Sequence, residues 1–318
     1  MPLLLQRRDV LKGLLATSLA GSATETRAVS LQPADAAPFS IHIFSKLLHF
    51  LDYTELAMVA SDLGFDGVDL TVRPDGHVEP DRVQTDLPKA VDILKKRNLS
   101  VSTITTAITK ADETARTLLE TASEQGIRYY RTGWLAYPTD QPIQAVLTSY
   151  QKQLGELAKL NQQLNLAGAY QNHAGTNFGS ATWDLATVLN EINSPGMGSQ
   201  YDIRHATVEG GTSWSTGLRM IAPHIRFIAI KDVIWEKKAG KWKAESVPLG
   251  QGMVDFPAYF ALLKKLNVRV PISLHLEYPL GGADQGKRAI TIPREKIYQA
   301  MQTDLQTLRG MLKSAGLG

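Results

Sequence analysis

Gln171 and His173 stand two residues apart, as do His275 and Glu277, and Asp202 precedes His205 by three. On an extended strand alternate side chains share a face, so each of the first two pairs can aim both members at one place. An amide oxygen, imidazoles and carboxylates gathered there form a donor set without sulfur, because the chain has no cysteine. Oxygen and nitrogen donors suit Mn, Co, Mg or Zn. Gln171, His173, Asp202, His275 and Glu277 are therefore candidate donors to a divalent metal ion. Such an ion polarises a carbonyl and stabilises the enediolate left when the neighbouring proton is removed. Glu277 is the expected base, and Lys231, His205, His173 and His77 are the candidate proton carriers. Lys46, Arg73, His77, Arg131 and Trp134 are candidates for substrate contact, with Trp134 able to stack on a sugar ring. The cationic members are scattered along the chain and form no dense phosphate clamp in the sequence.

Placing these residues together requires strands whose ends converge. From Phe39 onward, short apolar runs alternate with longer amphipathic periods. "FSIHIF", "GVDLTV", "LSVSTITT", "IRYYRTG", "LAGAY", "GSQYDI", "IRFIAIKD" and "PISLHLEY" read as eight strands, each followed by a helical period. Eight such units predict an α/β fold, a single-domain closed (β/α)8 TIM barrel spanning 39–318. No glycine-rich phosphate turn opens any of the helices, which argues against an open doubly wound sheet. In a closed barrel the C-terminal strand ends form the functional rim, and the residues named above fall at those ends.

The first residues carry a different signal. Arg7 and Arg8 precede an apolar run from Val10 to Ala20, followed by small residues. That order predicts a twin-arginine signal peptide over about 1–28 and a loose arm over 29–38, hence export to the periplasm. The apolar run is too short for a stable membrane anchor. A formal net charge of +3, part of it in the leader, gives no basic stripe for nucleic acid. The expected partner is a small-molecule carbohydrate, and the sequence leaves homo-oligomer formation open.

The segments "LGFDGVDLTVR", "YQNHAG", "YDIRHA", "IAIKDVIW", "PLGQGMVDF" and "SLHLEY" together resemble the sugar phosphate isomerase/epimerase group of xylose-isomerase-like barrels. The resemblance covers nearly the whole chain after Phe39. It implies a metal held by Glu, Asp, His and Glu from strands five to eight. Asp202 matches the Asp, Glu277 the last Glu, and His205 a substrate-contacting His. Gln171 stands where the first Glu belongs, and Ala229 where the His belongs. Glutamine cannot act as a base, so a two-carboxylate epimerase mechanism cannot run unaltered. With His275 as the expected replacement for the missing His, the resemblance implies Gln171, Asp202, His275 and Glu277 as the metal ligands. The resemblance implies proton abstraction next to the carbonyl of a sugar or keto-sugar, as epimerisation, isomerisation or 3-keto-glycoside elimination. The alternative is a non-catalytic carbohydrate-binding barrel. An abasic-site endonuclease, which shares the barrel, needs a three-zinc cluster and a basic groove, and the sequence has neither.

Overall fold

The computed structural model describes residues 39–318, and the expected leader and arm lie outside them. The strands are β1 (Ile41–Phe44), β2 (Gly67–Thr71), β3 (Thr103–Thr105), β4 (Tyr129–Arg131), β5 (Ala167–Gln171), β6 (Met197–Asp202) and β7 (Ile225–Ile230), then a hairpin of β8 (Asp232–Lys238) with β9 (Lys241–Val247), and lastly β10 (Ile272–Leu274). The helices are α1 (Tyr53–Asp62), α2 (Val83–Lys95), α3 (Glu113–Glu124), α4 (Ile143–Gln163), α5 (Trp183–Ile192), α6 (Ile203–Gly210), α7 (Trp214–Ile221), α8 (Phe256–Lys265) and α9 (Arg294–Ser314). All barrel pairs are parallel, and Ile43 of β1 pairs with Val68 of β2 and Leu274 of β10, which closes the ring.

Two chemistries divide the strands. Outward residues such as Val68, Leu70, Ile104, Tyr130, Tyr170 and Ile228 are buried in the apolar layer beneath the helices. The lumen is polar instead. His42 Nδ1 lies 3.2 Å from Thr103 Oγ1, and Asp69 accepts from Ser273 at 2.6 Å and from Thr105 at 3.1 Å. Gly67 makes room for this layer, since a Cβ there would lie 2.8 Å from His42 Nε2. Aspartates start the helices: Asp52 forms a capping box with Glu55, and Asp112 and Asp255 cap α3 and α8.

Two elements were not expected from the sequence, the hairpin β8–β9 and the short helix α6 that opens directly off β6. The hairpin's root is fixed by Asp232, which is 1% exposed. Its carboxylate accepts the backbone N–H groups of Val233, Gly250, Gly252 and Val254 at 2.8, 2.9, 2.9 and 3.2 Å. A side chain at position 252 would collide with that carboxylate. Asp232→Ala leaves these donors without their acceptor and is expected to cost about 3–5 kcal/mol of unfolding free energy. Urea denaturation measures it; a loss under about 1 kcal/mol would show that the loop holds itself.

Candidate functional site

At the rim, β5, β6, β7 and β10 bring Gln171, Asp202, Lys231 and Glu277 to one point. Asp202 ends β6 and also caps α6, its Oδ1 accepting the His205 N–H at 3.1 Å. Its Oδ2 is thereby turned inward, where it accepts from Gln171 Nε2 at 2.8 Å and faces Lys231 Nζ at 3.2 Å. Lys231 reaches on to Glu277 Oε2 at 2.7 Å, while Lys46, in the turn after β1, meets Glu277 Oε1 at 3.2 Å. Burial works against the Glu277 charge, yet the Lys231 and Lys46 ammonium groups outweigh it and hold this carboxyl well below the usual range. Glu277 is thus ionised but a weak base.

The histidines can be assigned from their partners. Arg204 Nη1 stands 3.1 Å from His205 Nδ1 and can only donate, so Nδ1 accepts and Nε2 carries the proton. That Nε2 is buried without a hydrogen-bond partner, 3.6 Å from Asp202 Oδ2. His173 is the reverse. Its Nδ1 donates to the Ala174 carbonyl at 2.9 Å, which leaves the lone pair on Nε2. Burial and then the nearby Lys231 charge lower its pKa, so the ring is neutral at pH 7. It packs 4.0 Å from the His205 ring and 4.7 Å from Trp134.

His275 stacks on Phe44 at 4.2 Å, and burial lowers its pKa to about 4. Its Nε2 contacts Ser273 Oγ at 3.0 Å; Ser273 spends its own hydrogen on Asp69, so His275 Nε2–H is the donor. Nδ1 then presents a lone pair, 3.8 Å from Glu277 Oε1 and without a hydrogen-bond partner.

Lys46, Arg73 and Arg131, scattered in the sequence, gather round one ring. Lys46 Nζ, Arg73 Cζ and Arg131 Cζ lie 5.9, 5.8 and 5.7 Å from the Phe44 centroid. Arg131 also lies 4.7 Å from the Trp134 ring. Phe44, Asp69 and Ser273 were not singled out in the sequence; their signal was the inward position on the two-residue period of their strands.

His77 lies beside the turn after β1. Its Nε2 faces the Leu48 carbonyl and its Nδ1 the Ser45 hydroxyl, both at 3.2 Å, so both nitrogens hold the turn after β1. Trp235 lies on the hairpin, and Tyr278 donates to Asp304.

The expected metal ligands do not fit a divalent ion in this arrangement. Gln171 Oε1 accepts from Arg131 Nη1 at 3.1 Å while its Nε2 donates to Asp202, so turning the oxygen toward Asp202 would set donor against donor and acceptor against acceptor. An ammonium already bridges Asp202 and Glu277. Among the described residues no group of three His, Cys, Asp or Glu side chains forms a metal-binding cluster.

Similar structures share the architecture. D-allulose 3-epimerase from Methylomonas sp. is 16% identical, with a TM-score of 0.63 over 86% of this chain and 98% of that one. 3-keto-D-glucoside 4-epimerase from E. coli is 14% identical, with a TM-score of 0.63 over 86% of this chain and 99% of that one. A probable 3-DHS dehydratase from Bacillus anthracis is 16% identical, with a TM-score of 0.63 over 84% and 99%. At these identities the likeness is one of fold. The search among curated proteins returned no match. The Xylose isomerase-like TIM barrel family model matches residues 58–302, and the chain belongs to that family.

Proposed function

We propose that this protein removes a proton next to the carbonyl of a sugar or keto-sugar, the step common to isomerisation, epimerisation and 3-keto-glycoside elimination. The observation that carries this reading is a neutral imidazole lone pair on His173 beside an ammonium held between two carboxylates. The C–H bond breaks, its proton goes to His173 Nε2, and the electron pair moves onto the carbonyl oxygen. Positive charge from Lys231 and Lys46 stabilises the resulting enediolate. The proton that His173 takes is the one it returns, to carbon, to oxygen or to a leaving group, while the neutral His205 keeps its Nε2–H as a hydrogen-bond donor beside it. Glu277, held by two lysines, serves as a fixed acceptor for substrate hydroxyls rather than as the base. Trp134, 37% exposed, offers the sugar ring a face. The sugar-epimerase names of two fold neighbours support this class of substrate. The Arg7-Arg8 leader pattern supports action outside the cytoplasm.

Incubation with ketoses and 3-keto-glycosides in D2O, followed by NMR, tests the proposal. Deuterium entering next to the carbonyl is the expected result. Saturable sugar binding with no exchange on any substrate would instead support the non-catalytic carbohydrate-binding barrel.

The rim also favours an acidic group on the sugar. Among the described residues, Lys46, Arg73, Arg131 and Lys231 face three carboxylates, Asp69, Asp202 and Glu277, and burial pushes Asp69 toward its neutral form. Arg73→Gln is expected to weaken binding of an acidic substrate by about tenfold and to leave a neutral analogue unaffected. Titration calorimetry with D-glucuronate and D-glucose compares the two.

A further inference from the structure

The fully buried Asp202 carboxylate and the part-buried Glu277 carboxylate face one point, and two like charges so placed require positive charge between them. The family resemblance assigns that charge to a divalent ion held by four ligands. In this chain two of those four positions have changed, to Gln171 and Ala229. Both changes act in one direction. Glutamine removes a negative charge, and its amide is locked between Arg131 and Asp202 with its oxygen turned to the guanidinium. Alanine, fully buried and two residues before Lys231 on the same strand line, presents only a methyl where an imidazole would stand.

We propose that the Lys231 ammonium takes the place of the divalent ion, making this a barrel whose central cation is carried by its own chain. Lys231 is 3% exposed through its side chain and sits 3.2 Å from Asp202 Oδ2 and 2.7 Å from Glu277 Oε2. These are the two carboxylates that survive from the expected quartet. With Lys46 also on Glu277, two ammonium groups balance two carboxylates. A dication added to that cluster would carry its charge against both lysines and the adjacent Arg131. An ammonium has three N–H donors, and the two carboxylates use two of them. The third is available to a carbonyl oxygen and strengthens its bond as that oxygen becomes anionic. Only this catalytic consequence rests on the proton-abstraction reading; the occupancy itself is independent of it.

The test is metal binding by the full chain. Purified protein is analysed for bound metal, then titrated with MnCl2 and CoCl2 by calorimetry and followed by thermal melts. The expected result is no stoichiometric metal and no shift in Tm with either ion. Lys231→Met is expected to raise Mn affinity by at least about tenfold, because the competing charge is gone. The triple variant Q171E/A229H/K231M, which restores the four-ligand pattern, is expected to bind more tightly still. One equivalent of Mn or Co bound by the wild-type protein at micromolar affinity overturns the inference, whether or not the variants fold. Deuterium exchange separates the two proposals. Exchange that appears only with added metal overturns this inference and leaves proton abstraction standing. No exchange on any substrate, with no metal bound by the wild-type chain, overturns proton abstraction and leaves the lysine in its place.

Discussion

Lowering the pH from 7 toward 4 is expected to destabilise the protein steeply, with most of the loss between pH 6.5 and 4. His42, His49 and His275 are buried, at 0, 4 and 2% exposure, and burial lowers each from 6.5 to about 4. In the unfolded chain each takes a proton near pH 6.5, while in the native fold each resists until about pH 4. Their full contribution is therefore present above the unfolded value and is lost as pH falls through this window. Each accounts for roughly 3 kcal/mol, because one pKa unit is worth about 1.4 kcal/mol. Buried acids act in the opposite sense. Burial raises Asp304 to about 6 and also raises Asp69, so both become less costly as pH falls. Three histidines of that size outweigh two acids, and their sum is comparable to the roughly 5–15 kcal/mol that holds a typical domain together. Urea midpoints measured from pH 7.5 to 4.5 check this. A flat profile would mean that water or a local opening reaches these rings without unfolding.

His173→Gln is expected to slow deuterium exchange at the substrate carbon by about 10²–10⁴-fold, the usual worth of a positioned base. Glutamine keeps an acceptor oxygen on the side chain, so binding should survive while proton transfer fails. Because the His173 pKa is lowered, wild-type exchange is expected to stay level from pH 8 down past 6.5 and to decline only below it. Added imidazole is expected to restore part of the variant's rate, an effect that a purely structural residue would not show. Exchange within about threefold of wild type would move the base elsewhere, with Glu277 the next candidate despite its two lysines.

The contrast between Glu277 and His173 shows what the sequence could and could not convey. Reading the C-terminal strand ends as one rim put Gln171, Asp202 and Glu277 near one another, and they do meet there through Lys231 and the Gln171 amide, because strand order and direction are backbone properties. Their roles were decided by long side chains whose end points no spacing determines. Lys231 has four methylenes and stops where two carboxylates are, and that turns the expected metal site into an ion-paired one. The same geometry gathers Lys46, Arg73 and Arg131 round Phe44, although the sequence shows them far apart; closing the ring makes neighbours of β1, β2 and strands beyond. The hairpin was overlooked because "DVIWEKKAGKWKAESV" follows a strand end, where a loop is expected, and its alternation faces solvent rather than a core. Its Ala239-Gly240 corner, both residues at positive φ, was the legible signal. The contacts of His77 with Leu48 and Ser45 were not legible either, since a histidine in a polar turn has the same sequence context whether it holds the turn or meets a substrate.

A cation joined to the backbone is neither loaded nor exchanged. Sites that borrow their charge from solution are filled according to the metals around them, and a more strongly binding ion such as copper can displace the working one. The Lys231 ammonium is fixed when the chain is synthesised. The protein it serves is therefore complete on folding, indifferent to chelators and to metal shortage, and immune to capture by the wrong metal.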